Sequence, residues 1–109
     1  MRVSMAGFLH RTRSLPAFTW KARPATSQDD GTGFFTVVGG YDVIVYWKGR
    51  PVTGGVIYAG STRELARRVT PMLTRFAKQF GTFTPAQRTR TLRIAAQTAK
   101  DRGWSRAIA

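Results

Sequence analysis

Residues 42–48 are a short run of β-branched and aromatic side chains between a polar residue at each end, and this stretch is the clearest strand signal in the chain. Its two sides can be read from the period of two. They present Val43, Val45 and Trp47 on one side, and Ile44 and Tyr46 on the other. Because both sides are apolar, the pattern predicts a strand in the middle of a sheet.

Two shorter strand-like runs flank this segment. Residues 34–38 and 56–58 are rich in β-branched and aromatic side chains. Gly39-Gly40 predicts a bend before the central strand, and the glycine-rich residues 49–55 predict a hairpin loop after it. The pattern therefore predicts an antiparallel sheet of about three strands between residues 34 and 58.

Helical spacing replaces alternation after Thr62. The apolar stripe consists of Leu65, Val69, Met72, Leu73, Phe76 and Phe80. Pro71 either kinks this helix or begins a second one capped by Thr70. A further helix is predicted from Thr84 to about Arg102, with Gly103 as its stop. Strands followed only by helices predict an α+β domain over residues 34–109.

Residues 1–33 lack a sustained apolar period and contain Pro16 and Pro24. The segment is interpreted as an extended basic arm that docks on neighbouring proteins. The docking candidates are Arg11, Arg13, Phe18 and Trp20. The alternative is that Phe18 and Trp20 pack on the domain's own sheet. No continuous apolar segment resembles a secretory signal, so an intracellular or virion location is expected.

Charge narrows the possible partners. Eighteen basic residues, most of them arginine, oppose five acidic ones, for a net charge of +13. Such a field favours a polyanion, either nucleic acid or an acidic protein surface. The candidate contacts are Arg50, Arg63, Arg67, Arg68, Arg90 and Arg93. With no cysteine and only His10 as histidine, thiolate metal sites and a histidine-based triad are disfavoured.

One motif carries candidate chemistry. Tyr58-Ala59-Gly60 leads into a helix with Ser61 as its cap, and Arg68 follows ten positions after Tyr58. This stretch resembles the second half of the GIY-YIG nuclease signature, with Tyr46 matching the tyrosine of the preceding strand. The resemblance implies an endonuclease that uses Tyr46, Tyr58 and Arg68 around the scissile phosphate.

The resemblance also implies Mg²⁺ or Mn²⁺ held by an acidic side chain, and only Asp101 lies on a later helix. Ser61 and Thr62 would help to hold an anion at the helix N-terminus.

Three functions follow in order of preference. The first is a non-catalytic binding or assembly protein that contacts nucleic acid, for example in a phage virion or a ribosome-like particle. The alternative is a metal-dependent GIY-YIG-type endonuclease. The third is a sheet that reads DNA with Lys48 and Arg50 in the major groove. Scarce acids argue against the second function, and the long basic arm favours the first.

Overall fold

A computed structural model describes residues 10–12, 15–29 and 33–104 of the chain. Four strands form one antiparallel sheet in sequence order, and two helices follow. The strands are β1 (His10–Thr12), β2 (Leu15–Asp29), β3 (Gly33–Trp47) and β4 (Arg50–Tyr58), and the helices are α1 (Thr62–Gly81) and α2 (Pro85–Asp101). The predicted α+β fold, a small antiparallel sheet packed with C-terminal helices, is confirmed.

The strands are longer than the sequence pattern predicted. Gly39-Gly40 does not end a strand, because β3 continues through both residues. The loop predicted for residues 49–55 is wrong: only Lys48 and Gly49 form the turn, and β4 begins at Arg50. Position 54, within β4, requires glycine for a steric reason, since a Cβ there would lie 2.5 Å from the carbonyl oxygen of Val43.

Part of the segment interpreted as an arm belongs to the sheet. β2 pairs with β3, with Phe18 opposite Trp47 and Trp20 opposite Val45. Phe18 and Trp20 are buried in the main core, so the alternative that they pack on the domain's own sheet is correct. The prediction that these two side chains dock on a partner is therefore wrong, because both are buried within the domain. Arg13 lies outside the described residues, and only the backbone of Arg11 is described, in β1.

The main core lies between one face of the sheet and α1. Alternation along β2 and β3 directs the apolar side chains of these strands to that face, and the helical stripe of α1 covers them. The largest contributors are Phe18, Trp20, Val43, Val45 and Val52 from the strands, and Leu65, Val69, Leu73 and Phe80 from α1. Leu92 adds the first half of α2 to the same core.

The opposite face of the sheet is covered by the end of α2. Ile44 and Tyr46 pack there with Ala99, and Trp104 lies against them. A polar clamp joins the same elements. Asp42 forms ion pairs with Arg23 at 3.2 Å and with Arg102 at 3.4 Å. Arg23 also donates to the carbonyl oxygen of Arg102 and stacks 4.0 Å from the centre of the Trp104 ring.

Both helices begin and end with recognisable caps. α1 is continuous through Pro71, so neither a separate second helix nor a break occurs there. Thr84 caps α2 by a capping box, in which its Oγ accepts from the N–H of Gln87 while Gln87 Oε1 accepts from the N–H of Thr84. Gly103, in the left-handed region at φ 80°, ends α2 as predicted.

Candidate nucleic-acid interface

The turn from β4 into α1 satisfies its own polar groups. Ser61 Oγ accepts from the N–H of Glu64 at 3.1 Å, and Glu64 Oε1 accepts from the N–H of Gly60 at 2.7 Å. Arg68 Nη2 and Nε donate to Glu64 Oε2 at 2.7 and 3.1 Å. These bonds, the one from Gly60 first and that from Arg68 second, lower the pKa of Glu64. A carboxylate of the chain itself therefore lies where the sequence placed an external anion.

The structure does not bring together the tyrosines and the arginine of the nuclease-like motif. Tyr46 is completely buried against Ile44 and Ala99. Tyr58 lies on the same face of the sheet but is 60% exposed and pairs with Gly40. Six residues of β3 separate Gly40 from Tyr46, which is about 20 Å along a strand. The two phenols therefore lie far apart.

Arg68 is directed to Glu64 rather than to either tyrosine. Its guanidinium is engaged by the carboxylate of the preceding helical turn. Tyr58 follows Ile57, which packs on the α1 side of the sheet, so alternation places the Tyr58 side chain on the other side. The pocket of one guanidinium and two phenols that the motif predicted is not formed.

Asp101, the candidate metal ligand, is exposed on the last turn of α2. Its Oδ1 accepts a hydrogen bond from Gln97 Nε2 at 2.8 Å. Within the described ranges, no group of three or more histidine or acidic side chains could hold a metal ion. The other acids with described side chains, Asp42 and Glu64, are each engaged by arginine. Together these placements give a metal no carboxylate cluster in this part of the chain.

The solvent-facing side of α1 carries a concentration of cations that we call the basic face. Helical spacing places Arg63, Arg67 and Lys78 opposite the buried stripe of Leu65, Val69 and Leu73, with Arg68 and Arg75 on the flank of the stripe. The basic face consists of Arg63, Arg67, Arg68, Arg75 and Lys78, all of them exposed. At a rise of 1.5 Å per residue it extends for about 22 Å along the helix. Among the described ion pairs, only Arg68 of this set is neutralised.

The remaining predicted contacts lie on other surfaces. Arg90 and Arg93 are exposed on the outward side of α2, away from the buried Leu92 and Ala99. Arg50 is exposed at the start of β4. All six predicted nucleic-acid contacts are thus accessible to solvent, but they are distributed over three elements rather than gathered at one point.

Sequence reasoning named Lys48 and Arg50 as contacts but missed the cluster that they form with Trp47 and Arg88 at the end of the β3–β4 hairpin, which we call the hairpin-end cluster. It consists of Trp47, Lys48, Arg50 and Arg88. Lys48 Nζ lies 4.8 Å and Arg88 Cζ 5.8 Å from the centre of the Trp47 ring. The basic and aromatic residues 46–50 were a signal for the strand part. Arg88 was not predictable because it reaches the site only through the packing of α2.

A groove of about 330 Å³ runs between β4 and α2. Its walls are largely apolar, with Ile44, Val52 and Gly54 from the sheet and Ile94, Ala95 and Trp104 from the helical side. Arg102 provides a cationic group at this groove. Ile94 is 54% exposed, so the groove is open to solvent.

No helix in the described part of the chain has the length and apolarity needed to cross a membrane. Comparison of the sequence with known protein families, and of the chain with curated proteins and solved structures, finds no match.

Proposed function

We propose that this protein binds nucleic acid without cleaving it, as a small basic component of a nucleoprotein assembly. The observation that carries the proposal is the basic face of α1. Arg63, Arg67 and Arg75 are exposed there, and none of them forms an ion pair with a described residue. Cations held on one rigid helix without a carboxylate in ion-pair contact attract the closely spaced phosphates of a nucleic acid.

Two further features support binding over catalysis. Tyr46 is buried, and Arg68 is held by Glu64, so the nuclease-like motif presents no assembled set of catalytic groups. The net charge of +13 favours binding to phosphates, and this binding does not require that the nucleic acid be cleaved. Binding by several cations releases counterions, so affinity falls with salt by a log–log slope of roughly −0.9 per phosphate neutralised on a DNA duplex.

Nucleic acid is the main partner that we propose. Contacts with neighbouring proteins of the assembly are assigned to the residues that precede β2. Arg11 and Arg13 remain candidates for that contact, whereas Phe18 and Trp20 are engaged in the core. Particle incorporation of the full chain, compared with a variant in which Arg11 and Arg13 are replaced by glutamine, tests this assignment. Equal incorporation of the two proteins would contradict it.

The experiment for nucleic-acid binding measures anisotropy of labelled DNA and RNA against the full chain from low to high salt. The double variant Arg63→Gln/Arg67→Gln should bind several-fold more weakly and reduce the salt slope by about two phosphate equivalents, roughly 1.8. Lys21→Gln/Lys100→Gln removes the same charge away from the basic face and serves as the control. Binding by the wild type that does not change with salt would overturn the proposal.

The same protein preparation tests the alternative, a metal-dependent endonuclease. Plasmid DNA is incubated with Mg²⁺ or Mn²⁺, with Asp101→Asn and Tyr58→Phe as comparison variants. The binding proposal predicts no metal-dependent nicking. Nicking that Asp101→Asn abolishes would establish the endonuclease function in its place.

A further inference from the structure

We propose that the hairpin-end cluster is a binding site for the phosphate groups of a nucleic-acid backbone, formed by Lys48, Arg50 and Arg88 around Trp47. The inference rests on the proposed function and deepens it, because it assigns phosphate binding to one preorganised site outside the basic face. The ligand class is a phosphodiester chain, which meets this site through charge and not through base edges.

Three cations from two separate elements converge at this end of the sheet. Arg88, on the second turn of α2, lies with Cζ 5.0 Å from the centre of the Phe80 ring and 5.8 Å from that of Trp47. Lys48 Nζ lies 4.8 Å from the Trp47 ring. Arg50 is paired with Trp47 across the hairpin. Lys48 and Arg88 therefore share one aromatic ring, and the strand pairing places Arg50 opposite the residue that carries it.

These cations have no anion of their own in the part of the chain that the structure describes. The ion pairs found there involve Arg23, Arg68 and Arg102. Arg88 Nε is buried yet has no hydrogen-bond acceptor among the described residues, and the first turn of α2 contains no acidic residue. A bound phosphate would accept charge-assisted hydrogen bonds from these side chains and supply the negative charge that no described ion pair provides them.

The backbone holds Lys48 in place. Its φ of 49° lies in the left-handed region, which a lysine seldom occupies, and Gly49 follows with a φ of 82°. The N–H of Lys48 donates to the carbonyl oxygen of Ala17 at 2.9 Å, so β2 anchors the turn from outside the hairpin. A charged side chain thus occupies a turn position where asparagine or glycine would be the unstrained choice.

The location of the cluster favours a polymer over a single small anion. The Phe80 ring lies 5.1 Å from that of Trp47, so the C-terminal half of α1 ends beside the cluster. Arg75 and Lys78 of the basic face belong to that half of the helix. A nucleic-acid strand that passes from the basic face round the C-terminal end of α1 would therefore reach Lys48, Arg50 and Arg88 with its next phosphates.

Lys48→Gly/Arg50→Gln in the full chain tests the site. Glycine at position 48 suits the left-handed turn, so this variant removes charge without adding backbone strain, and its melting temperature verifies folding. Anisotropy with single-stranded and duplex 20-mers of DNA and RNA is measured across a salt series. The variant should bind roughly tenfold more weakly and reduce the duplex-DNA slope by about 1.8, since two phosphate contacts are lost.

The control Lys21→Gln/Lys100→Gln removes the same charge elsewhere and should lose much less affinity. Equal losses in the two double variants would overturn the site while leaving nucleic-acid binding itself intact. No binding of any 20-mer by the wild type would overturn both proposals. Tryptophan emission provides a local readout: a 20-mer should change it in the wild type but not in Trp47→Phe. An unchanged response in Trp47→Phe would also contradict the assignment.

Discussion

Arg23 on β2 and Asp42 on β3 are direct partners across the sheet and are joined by a 3.2 Å ion pair between Nη2 and Oδ2. Asp42 is almost completely buried, and the same carboxylate faces Arg102 at the end of α2. A strand pair in the middle of the sheet thereby fixes the last turn of the second helix.

Asp42→Asn should destabilise the fold, because it removes the counter-charge of Arg23 and Arg102 and leaves a buried amide in place of the carboxylate. We expect a loss of about 1–3 kcal/mol in the free energy of unfolding, measured by urea denaturation. Asp101→Asn is the matched control, since Asp101 is exposed and bonded to Gln97, and it should change stability by less than about 0.5 kcal/mol. Similar losses in the two variants would contradict a structural role for the clamp.

Gly54→Ala should be tolerated less well than Gly55→Ala, although the two glycines are adjacent. A methyl group at position 54 would lie 2.5 Å from the carbonyl oxygen of Val43, whereas nothing lies within 4 Å at position 55. The expected cost at position 54 is about 1–3 kcal/mol of unfolding free energy. At position 55 alanine should be neutral or slightly stabilising, because it restricts the unfolded chain. Thermal unfolding of the two variants side by side decides the point.

Tyr46→Phe should preserve or increase stability. The Tyr46 hydroxyl is buried and has no hydrogen-bond partner in the described part of the structure, so its removal relieves an unpaid desolvation cost of about 1 kcal/mol. Tyr58→Phe, at an exposed position, should change little. A marked destabilisation of Tyr46→Phe by chemical denaturation would indicate that the hydroxyl has a partner.

The same tyrosine predicts a dependence on alkaline pH. Burial raises the pKa of Tyr46 from 10.0 to about 12, against a smaller lowering by Arg23. The unfolded chain loses this proton first, so ionisation of Tyr46 leaves the free energy of unfolding unchanged below pH 10 and lowers it as the pH rises toward 12. The wild type should lose more stability over that window than Tyr46→Phe. Parallel stability profiles would contradict the prediction.

Glu64 should show the opposite dependence at acid pH. Its pKa is lowered from 4.5 by the Gly60 N–H and then by Arg68, so its contribution is present above pH 4.5 and is lost as the pH falls through the lower folded value. A carbon-detected NMR titration should give a midpoint below 4.5 for Glu64, and the amide signal of Gly60 should move with it. In Glu64→Gln the Gly60 signal should lose this titration. An unshifted midpoint would show that the turn is not closed by these bonds.

The fold was partly predictable because α1, α2 and the centre of β3 have clear apolar periods. β2 was missed although Phe18, Trp20 and Ala22 alternate with polar residues, since Pro16 and Pro24 argue against a strand. Among the described residues, β1 pairs with residues 15–20 of β2 and does not reach Pro24, so proline interrupts no described pairing with that strand. The extent of the neighbouring strand decides whether proline is tolerated, and the residues around Pro24 do not reveal that extent.

Of the two candidate binding surfaces, one could be predicted from the sequence and the other could not. The basic face follows from helical spacing alone, and Arg63, Arg67 and Arg68 of this face were predicted as contacts. The hairpin-end cluster was not, because it joins Trp47 to Arg88, which are far apart in the sequence and meet only after Phe80 packs between the helix layer and the hairpin. The alternation placed Tyr46 on an apolar side of the central strand, but it could not identify Ala99 of α2 as the residue that covers it.

The covering of the two sheet faces by different helices has a consequence for the order of folding during synthesis. Residues through Gly81 already contain the strands and the helix of the main core, so that core can begin to form while α2 is still being translated. Among the described residues, Ala99 and Trp104 are the apolar side chains that cover Ile44 and Tyr46. The nascent chain therefore exposes an apolar sheet face until the last turn of α2 arrives, and this interval is when the protein is most open to mispairing with another chain.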